Sequence, residues 1–241
     1  MSAARGFRIF GLCWLRPWFS YVFSPVLNRL LPTRTVRFAD FHVRRGECDL
    51  YTFMNLFEDY PVPLIERALD EVEMVADLGA NVGAFSLLID KIVRQKNKKI
   101  KIAAVEPNTA NIQLLREQPF AGSLLIHHAA VGPVEGTARL VRGRNSVSDY
   151  VDFKGGTAGT PIPILSLDSL CPVPALVKMD IEGGEWGILK NSLPDNVRFL
   201  VLEWHSDPGQ DRVLAPSEFI PGNWQKISRD LYGSSTWYFR R

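Results

Sequence analysis

The feature that most constrains the fold is a glycine-rich turn at the end of a short apolar segment. Residues 74–79 read Met-Val-Ala-Asp-Leu-Gly, which is typical of a buried strand and the turn that leaves it. A second glycine, Gly83, follows shortly afterwards. Apolar residues then recur at helical spacing, at Phe85, Leu88, Ile89 and Ile92. This segment predicts a strand, a tight turn and a helix in succession.

The rest of the chain repeats this alternation of apolar strands and helical segments. It is typical of an α/β protein with a mainly parallel sheet and helices on both faces, a Rossmann-like fold. Segments 137–142 and 162–167 predict a hairpin beside the main sheet, and an antiparallel C-terminal hairpin is predicted to bring that sheet to seven strands. The remaining predicted strands are 100–105, 123–130, 175–180, 197–203, 224–229 and 236–240, with helices over 111–118 and from residue 185.

Length and charge bound the domain organisation and the partners. The 241 residues, 46% of them hydrophobic, predict one ligand-binding domain over residues 74–241, preceded by a helical extension and lead-in over residues 1–73. A formal net charge of +2 gives no broad cationic field, so no nucleic-acid partner is expected. Cys13, Cys48 and Cys171 lie far apart without a C-x-x-C spacing, which favours a reduced, cytoplasmic setting.

The N-terminal segment at residues 7–31 is rich in aromatic residues and leucine, but arginines and prolines interrupt it. No run approaches the roughly 20 apolar residues that a membrane-spanning helix needs. We interpret the segment as one or two short helices. Packing on the domain or on a second subunit of a homo-oligomer is the first interpretation, peripheral contact with a membrane surface is the second, and a targeting segment is the third.

The glycine-rich turn has a functional and a structural interpretation. Gly79 lets the backbone turn tightly, and Gly83 at the start of the helix would let a ligand approach the main chain without meeting a Cβ. The turn would then present free amides to an anionic group such as a carboxylate. Glycines also occur in strand-to-helix turns for packing reasons alone, and this alternative stays open.

Glu106 ends the second predicted strand and indicates a nucleoside ligand. An acidic residue roughly 20 to 30 residues after the glycine turn accepts hydrogen bonds from ribose hydroxyls in Rossmann-like folds. Nicotinamide dinucleotides and S-adenosylmethionine both carry such a ribose. A dinucleotide site requires the pattern G-x-G-x-x-G, and Asn81 stands where its second glycine would be. The sequence therefore favours S-adenosylmethionine over a dinucleotide-dependent dehydrogenase.

Several motifs together resemble the FkbM family of methyltransferases, over roughly residues 57–205. This resemblance implies a class I methyltransferase fold and S-adenosylmethionine-dependent O-methylation of a hydroxyl on a sugar, glycolipid or natural product. The small-molecule, sugar or lipid-linked acceptor is thus an expectation from the resemblance. The motifs are the run from Asp77 to Ser86, Val105-Glu-Pro-Asn108, Asn111, Ala130-Val-Gly132, Leu167-Asp168 and Lys178-Met-Asp-Ile-Glu-Gly-Gly-Glu185.

The turn, the two strand ends beside it and these motifs give a predicted cofactor site. Phe85 follows the turn, and His128 ends the third predicted strand, near where adenine is enclosed in such folds. The predicted cofactor-binding residues are Asp77, Gly79, Ala80, Asn81, Gly83, Phe85, Glu106, Pro107, Asn108, His128, Ala130 and Asp180.

Asp180, Glu182 and His205 are the predicted catalytic residues. Strands ending near Asp180 and Glu203 would bring these side chains to the carboxyl edge of the sheet, where His205 or Asp180 could deprotonate an acceptor hydroxyl. Three alternatives stay open. The carboxylates could serve merely to cap the following helix. They could instead bind a divalent cation together with His205, although no metal is expected. The chain could also be an inactive scaffolding protein. Lys178 could be a structural ion-pair partner.

Overall fold

The fold is seen in a computed structural model, which describes most of the chain. The prediction for residues 7–31 falls outside the described residues, as does the turn between the predicted strands 224–229 and 236–240. The described residues are 34–38, 40–60, 62–143, 149–153, 156–182, 184–191, 193–205, 219–220, 222–229 and 235–240.

The predicted α/β fold with a parallel sheet is confirmed. Five parallel strands lie in the order β11-β10-β3-β4-β5. The central strands β3 and β10 are buried at every position, which explains why they are apolar except for Asp77 and Lys178. The five strands are β3 (Met74–Leu78), β4 (Lys101–Glu106), β5 (Leu124–His128), β10 (Ala175–Met179) and β11 (Val197–Glu203).

Two further strands extend the sheet beyond β11. The strand β13 (Ser235–Arg240) pairs antiparallel with β11, and β12 (Trp224–Arg229) pairs antiparallel with β13. The ladder between β12 and β13 contains a register shift between Lys226 and Ser228. These strands place an antiparallel edge next to β11, on the side of the sheet away from β4.

In the described part of the chain, four α-helices lie after β3. The helix after the glycine turn, α3 (Ala84–Gln95), turns its apolar stripe to the core, where Leu88, Ile89 and Ile92 are buried. Asn108 caps α4 (Thr109–Arg116), because its side chain accepts hydrogen bonds from the amides of Ala110 and Asn111. The other two helices are α5 (Leu167–Leu170) and α6 (Glu185–Lys190).

The described part of the lead-in is not purely helical. It begins with a hairpin of β1 (Thr35–Phe38) and β2 (Phe41–Arg44), followed by α1 (Asp49–Asp59) and α2 (Val62–Glu71). Buried residues of β2, α1 and α2 share one core cluster with α3. Among the described residues, no helix has the length and apolarity to cross a membrane.

The predicted third strand over residues 123–130 is wrong in one respect, because it is two strands in different sheets. After β5 the chain continues as β6 (Ala130–Gly132), which leaves the main sheet and pairs parallel with β9 (Thr160–Ser166). The predicted hairpin beside the main sheet is larger than expected. Its strands, β7 (Gly136–Val141) and β9, pair antiparallel, and β8 (Tyr150–Asp152) completes a four-stranded sheet in the order β6-β9-β7-β8.

Candidate active site

The bend between β3 and α3 is the centre of the site. Gly79 has φ +73°, and Asn81 has φ +50°. A Cβ on Gly79 would overlap the backbone carbonyl oxygen of Asp180, at the end of β10. Glycine is therefore required here by the left-handed backbone and by the close approach of the neighbouring strand exit.

Gly83 lies against neighbouring protein side chains. It is the N-cap of α3 with φ +91°, and a Cβ there would press on the side chains of Leu115 and Phe120. The space beside its Cα is therefore filled by protein and is not an approach route for a ligand. Gly83 allows α3 to pack closely against α4, which supports the packing interpretation of this glycine.

The predicted free amides of the bend are largely used within the protein. The amides of Gly79 and Ala80 each donate to the carbonyl oxygen of Val105 at 3.0 Å. The amide of Asn81 donates to Oε2 of Glu106 at 2.8 Å, and the amide of Gly83 donates to the carbonyl oxygen of Ala80 at 2.8 Å. The prediction of free donors is wrong for these four amides. The end of β4 supplies the acceptors for three of them, and Ala80 supplies the acceptor for the fourth.

Glu106 faces the bend, as the sequence predicted. Its Oε2 accepts from Asn81, and its Oε1 accepts from the amide of Asn108 at 2.9 Å and from Nδ2 of Asn111 at 3.2 Å. Burial raises the pKa of this carboxyl, although the hydrogen bonds from Asn108, Asn81 and Asn111 act in the opposite direction. A carboxylate with four lone-pair positions and three protein donors has capacity for a further donor.

Lys178 joins the carboxylates of β3 and β10 beneath the bend. Its Nζ lies 3.5 Å from Oδ1 of Asp77 and 3.2 Å from Oδ2 of Asp180, and it donates to the carbonyl oxygen of Gly79 at 2.8 Å. Burial disfavours the ammonium form, but the charges of Asp180 and Asp77 outweigh burial and raise the lysine pKa. The other oxygen of Asp77 accepts from Ser86 Oγ at 2.7 Å. The ion-pair interpretation of Lys178 is therefore correct.

Replacing Lys178 with methionine is expected to lower the free energy of unfolding by about 3 kcal/mol. Methionine keeps much of the side-chain volume but leaves buried Asp77 and half-buried Asp180 without their cation. Urea denaturation measures the effect. The matched control is Lys101→Met, at the exposed start of β4, where a change below about 0.5 kcal/mol is expected. Equal stability of Lys178→Met and wild type would contradict a stabilising role for the ion pairs.

His205 follows β11 and faces a group of carboxylates. Its Nδ1 lies 2.9 Å from Oε1 of Glu185, the buried first residue of α6. Its Nε2 lies 3.6 Å from Oε2 of Glu182 and 3.9 Å from Oδ1 of Asp180. The structure therefore brings the three predicted catalytic residues together. A Glu185 carboxylate that accepts from Nδ1–H leaves Nε2 of a neutral His205 as the proton acceptor.

The electrostatics of this group change the expected protonation of His205. Burial alone would lower its pKa, but the hydrogen bond with Glu185 and the charges of Glu185, Glu182 and Asp180 raise the pKa to about 9. Burial raises the pKa of Glu182 to about 7, and the charges of Asp180 and Glu185 add to this effect against the opposing charge of His205. At neutral pH His205 is therefore mainly protonated in the free protein, so it must lose a proton before it can act as a base.

The same edge contains a donor set for a cation. One ligand atom each from Asp180, Glu203 and His205 lies within 4.8 Å of the others. Carboxylate oxygens with an imidazole nitrogen suit a divalent cation such as Mn²⁺. A cation could bind His205 only after the imidazolium had lost its proton. Without a cation, that proton balances part of the negative charge of the surrounding carboxylates.

Three other predicted cofactor-binding residues lie in different surroundings. Phe85 lies in the core and packs against Tyr60 with ring centroids 4.7 Å apart. Nε2 of His128 lies 3.1 Å from the carbonyl oxygen of Pro107, so it joins the ends of β5 and β4. Ala130 is buried among Ala138, Leu140 and Ile162 of the four-stranded sheet.

Two residues that contact the site were not among the predicted site residues. Glu185 belongs to the motif beginning at Lys178, but its bond to His205 depends on how α6 packs beside β11. Arg44 contacts Asn111 next to Glu106, although it lies far upstream of the motifs. An arginine on a short strand gives no distinguishing sequence signal, whereas an acidic residue at the start of a helix beside a strand-end histidine does give one.

This chain is similar in sequence to one protein family and, to a small extent, similar in structure to solved proteins. Residues 77–220 match the model of the methyltransferase FkbM domain, which is more than half of the chain. No curated protein matches the sequence. Among solved structures, methyltransferase FkbM from Methylobacillus flagellatus KT aligns with 19% identity and a TM-score of 0.37, over 63% of this chain and 42% of that chain. A proposed RNA methyltransferase from Pyrococcus horikoshii aligns with 14% identity and a TM-score of 0.33, over 73% and 68%.

Proposed function

The chain belongs to the methyltransferase FkbM domain family, and on this basis we propose that it is an S-adenosylmethionine-dependent O-methyltransferase. The proposed acceptor is a hydroxyl group of a sugar, a glycolipid or a related natural product. We also propose that the main sheet with its antiparallel edge is the class I methyltransferase sheet. The chain spans less than half of the length of the Methylobacillus protein, so the activity and the acceptor class of this chain are proposals.

The observation that carries the proposal is the direction of Glu106 toward the Gly79 bend. Oε2 of Glu106 is at the bend with one protein donor, and a ribose hydroxyl can donate to its second lone pair. Oδ1 of Asn81 is buried without a hydrogen-bond partner among the described residues. It therefore offers an acceptor for the ammonium of an amino-acid group. Asp77, Gly79 and Ala80 would support the bend between these two contacts.

His205 is the proposed base of the reaction. When bound, S-adenosylmethionine supplies an electrophilic methyl group on a positively charged sulfur. Glu185 holds Nδ1–H of His205, so Nε2 points toward Asp180 and Glu182. The neutral imidazole would accept the acceptor hydroxyl proton at Nε2 as the oxygen becomes methylated. Asp180 and Glu182 would orient the hydroxyl and stabilise the imidazolium that forms.

Titration calorimetry with S-adenosylhomocysteine, the expected product, tests cofactor binding. Wild type is expected to bind, and Glu106→Gln is expected to weaken binding by about tenfold or more, because a hydrogen bond to a charged group is lost. The matched control is Glu117→Gln, an exposed residue just after α4, which should keep wild-type affinity. Absence of binding by folded wild type would contradict the proposed cofactor, and equal affinity of Glu106→Gln would contradict the role of Glu106.

Transfer from a labelled methyl donor to a panel of glycosides and glycolipids tests the acceptor class. Incorporation into a hydroxylated acceptor, lost in the absence of protein, is the expected result. Binding of S-adenosylhomocysteine without transfer to any member of the panel would favour a scaffolding protein that keeps the pocket. Transfer only to amine groups would contradict O-methylation, and transfer only to carboxylate oxygens would contradict a hydroxyl acceptor.

The remaining proposals concern the setting of the protein. We propose a cytoplasmic enzyme whose residues 7–31 pack on the domain or on a second copy of the chain, with contact to a membrane surface as the other proposed role. Sedimentation equilibrium of the full chain, with and without anionic vesicles, separates these roles. A monomer that does not cosediment with vesicles would leave packing on its own domain as the supported role.

A further inference from the structure

The hairpin before the methyltransferase domain contacts the residues that hold Glu106. Arg44, the last residue of β2, donates from Nη2 to Oδ1 of Asn111 at 2.9 Å. Nδ2 of the same amide donates to Oε1 of Glu106 at 3.2 Å. Arg44 lies outside residues 77–220, which match the family model. A residue upstream of the family match is therefore connected to the proposed ribose-binding carboxylate through one side chain.

Asp49 fixes the position of the Arg44 side chain that contacts Asn111. Nε and Nη2 of Arg44 donate to the two oxygens of Asp49 at 2.9 and 2.8 Å, and the amide of Arg44 donates to Oδ2 of Asp49 at 2.8 Å. The side chains of Asp49 and Arg44 are 0% and 16% exposed. A bidentate arginine and carboxylate pair with this little exposure has one geometry, so the direction of the third Arg44 bond is fixed as well.

This geometry determines which way the Asn111 amide faces. An arginine has only donors, so the oxygen of Asn111 must face Arg44 and its NH₂ group must face Glu106. Oε1 of Glu106 then receives donors from Asn111 and from the amide of Asn108. Oε2 receives one protein donor, from Asn81. The arrangement leaves Oε2 as the oxygen with a lone pair available to a ligand.

We infer that Arg44 is a positioning residue for ribose recognition, which acts through Asn111 to present Oε2 of Glu106 to a nucleoside hydroxyl. This inference rests on the proposed function, because Glu106 must be the residue that binds the ribose. Arg44 itself does not contact the ligand in this arrangement. Its effect should therefore depend on the ribose hydroxyl and not on the rest of the cofactor.

The test compares S-adenosylhomocysteine with its 2′-deoxy and 3′-deoxy analogues by titration calorimetry. In wild type, removal of the hydroxyl that donates to Glu106 should weaken binding by about tenfold or more. In Arg44→Lys, which keeps the charge but cannot contact Asp49 bidentately and Asn111 together, binding of the parent should weaken by about tenfold. Binding of the sensitive deoxy analogue should change by less than about threefold. The affinity difference between the two ligands should thus largely disappear.

Two further variants keep this test decisive. The double variant Arg44→Met with Asp49→Leu removes both charges, so that neither is left buried alone, and should show the same loss of discrimination. Arg45→Met changes the adjacent, exposed arginine and should retain wild-type discrimination. Equal weakening of parent and analogue by both Arg44 variants would indicate a merely structural role and overturn the inference. Wild type that binds none of the ligands would instead overturn the proposed function, and the inference with it.

Discussion

Replacing His205 with glutamine is expected to lower kcat/KM by between about 100-fold and 10,000-fold, the range for loss of a general base. Glutamine can still hydrogen-bond to Glu185, but it cannot accept the hydroxyl proton. The comparison uses the acceptor that the methyl-transfer panel identifies. Affinity for S-adenosylhomocysteine should change by less than about threefold, because His205 lies at the acceptor side in the proposed arrangement. This separation of rate from binding distinguishes the base from a cofactor ligand.

The pH dependence of wild-type kcat/KM is a second test of His205 as the base. Because His205 acts as a base only when neutral and its pKa is raised to about 9, kcat/KM should rise with pH and level off near that value. Each pH unit below it should cost about tenfold in rate. The His205→Gln variant should lose this dependence. His127→Gln, a change on β5, is the matched control and should keep the wild-type profile.

A different profile would assign the proton transfer to another group. A single rise that levels off near pH 7 and persists in His205→Gln would favour Glu182, whose pKa is raised to about 7. A rate unchanged by His205→Gln at pH 9 would contradict the proposed base outright. In that case, positioning of the acceptor alone would account for the acceleration.

Replacing Gly79 with alanine is expected to lower the free energy of unfolding by more than about 4 kcal/mol, at the upper end for a single substitution. Alanine pays for the left-handed backbone at φ +73°. Its Cβ would also overlap the carbonyl oxygen of Asp180, a backbone atom that cannot rotate away. The exit of β10 would have to move, and the bond from the amide of Asp180 to the carbonyl oxygen of Leu78 would be broken.

Urea denaturation and the yield of folded protein measure this effect. Gly122→Ala is the matched control, because a Cβ there meets nothing within 4 Å, and its stability should stay within about 1 kcal/mol of wild type. Failure to recover folded Gly79→Ala protein alongside normal Gly122→Ala is the extreme form of the expected result. A Gly79→Ala protein with wild-type stability would show that the bend has more room than this structure gives it.

The parallel sheet was predictable because its central strands are buried on both faces. Strands such as β3 and β10 are then mainly apolar, with Asp77 and Lys178 as the exceptions, and the helices between them show apolar residues at helical spacing. The division between β5 and β6 was not predictable in the same way. Residues 123–130 have strand character throughout, and the change of sheet at Ala129 depends on pairing with β9, which is distant in sequence.

The candidate site was likewise only partly predictable from the sequence. Glu106 could be placed at the bend because strand ends in a parallel sheet meet at one edge. The packing of Gly83 against Leu115 and Phe120, and the closure of the bend amides by Val105, depend on contacts that spacing does not encode. The pKa of His205 depends on three carboxylates gathered around it, so its protonation could be assessed only with the structure.

Because the four-stranded sheet is inserted into a single crossover, between β5 and β10, it can vary in length without disturbing the strands that carry Gly79 and Glu106. Asp149, which leads into β8, also accepts from Nδ2 of Asn108 at the edge of the proposed donor pocket. The inserted region thus borders the residues proposed to bind the ribose, because Asn108 also donates to Glu106. A change in the length of this insertion is therefore expected to leave the proposed methyl-donor site intact as long as Asp149 keeps its contact with Asn108.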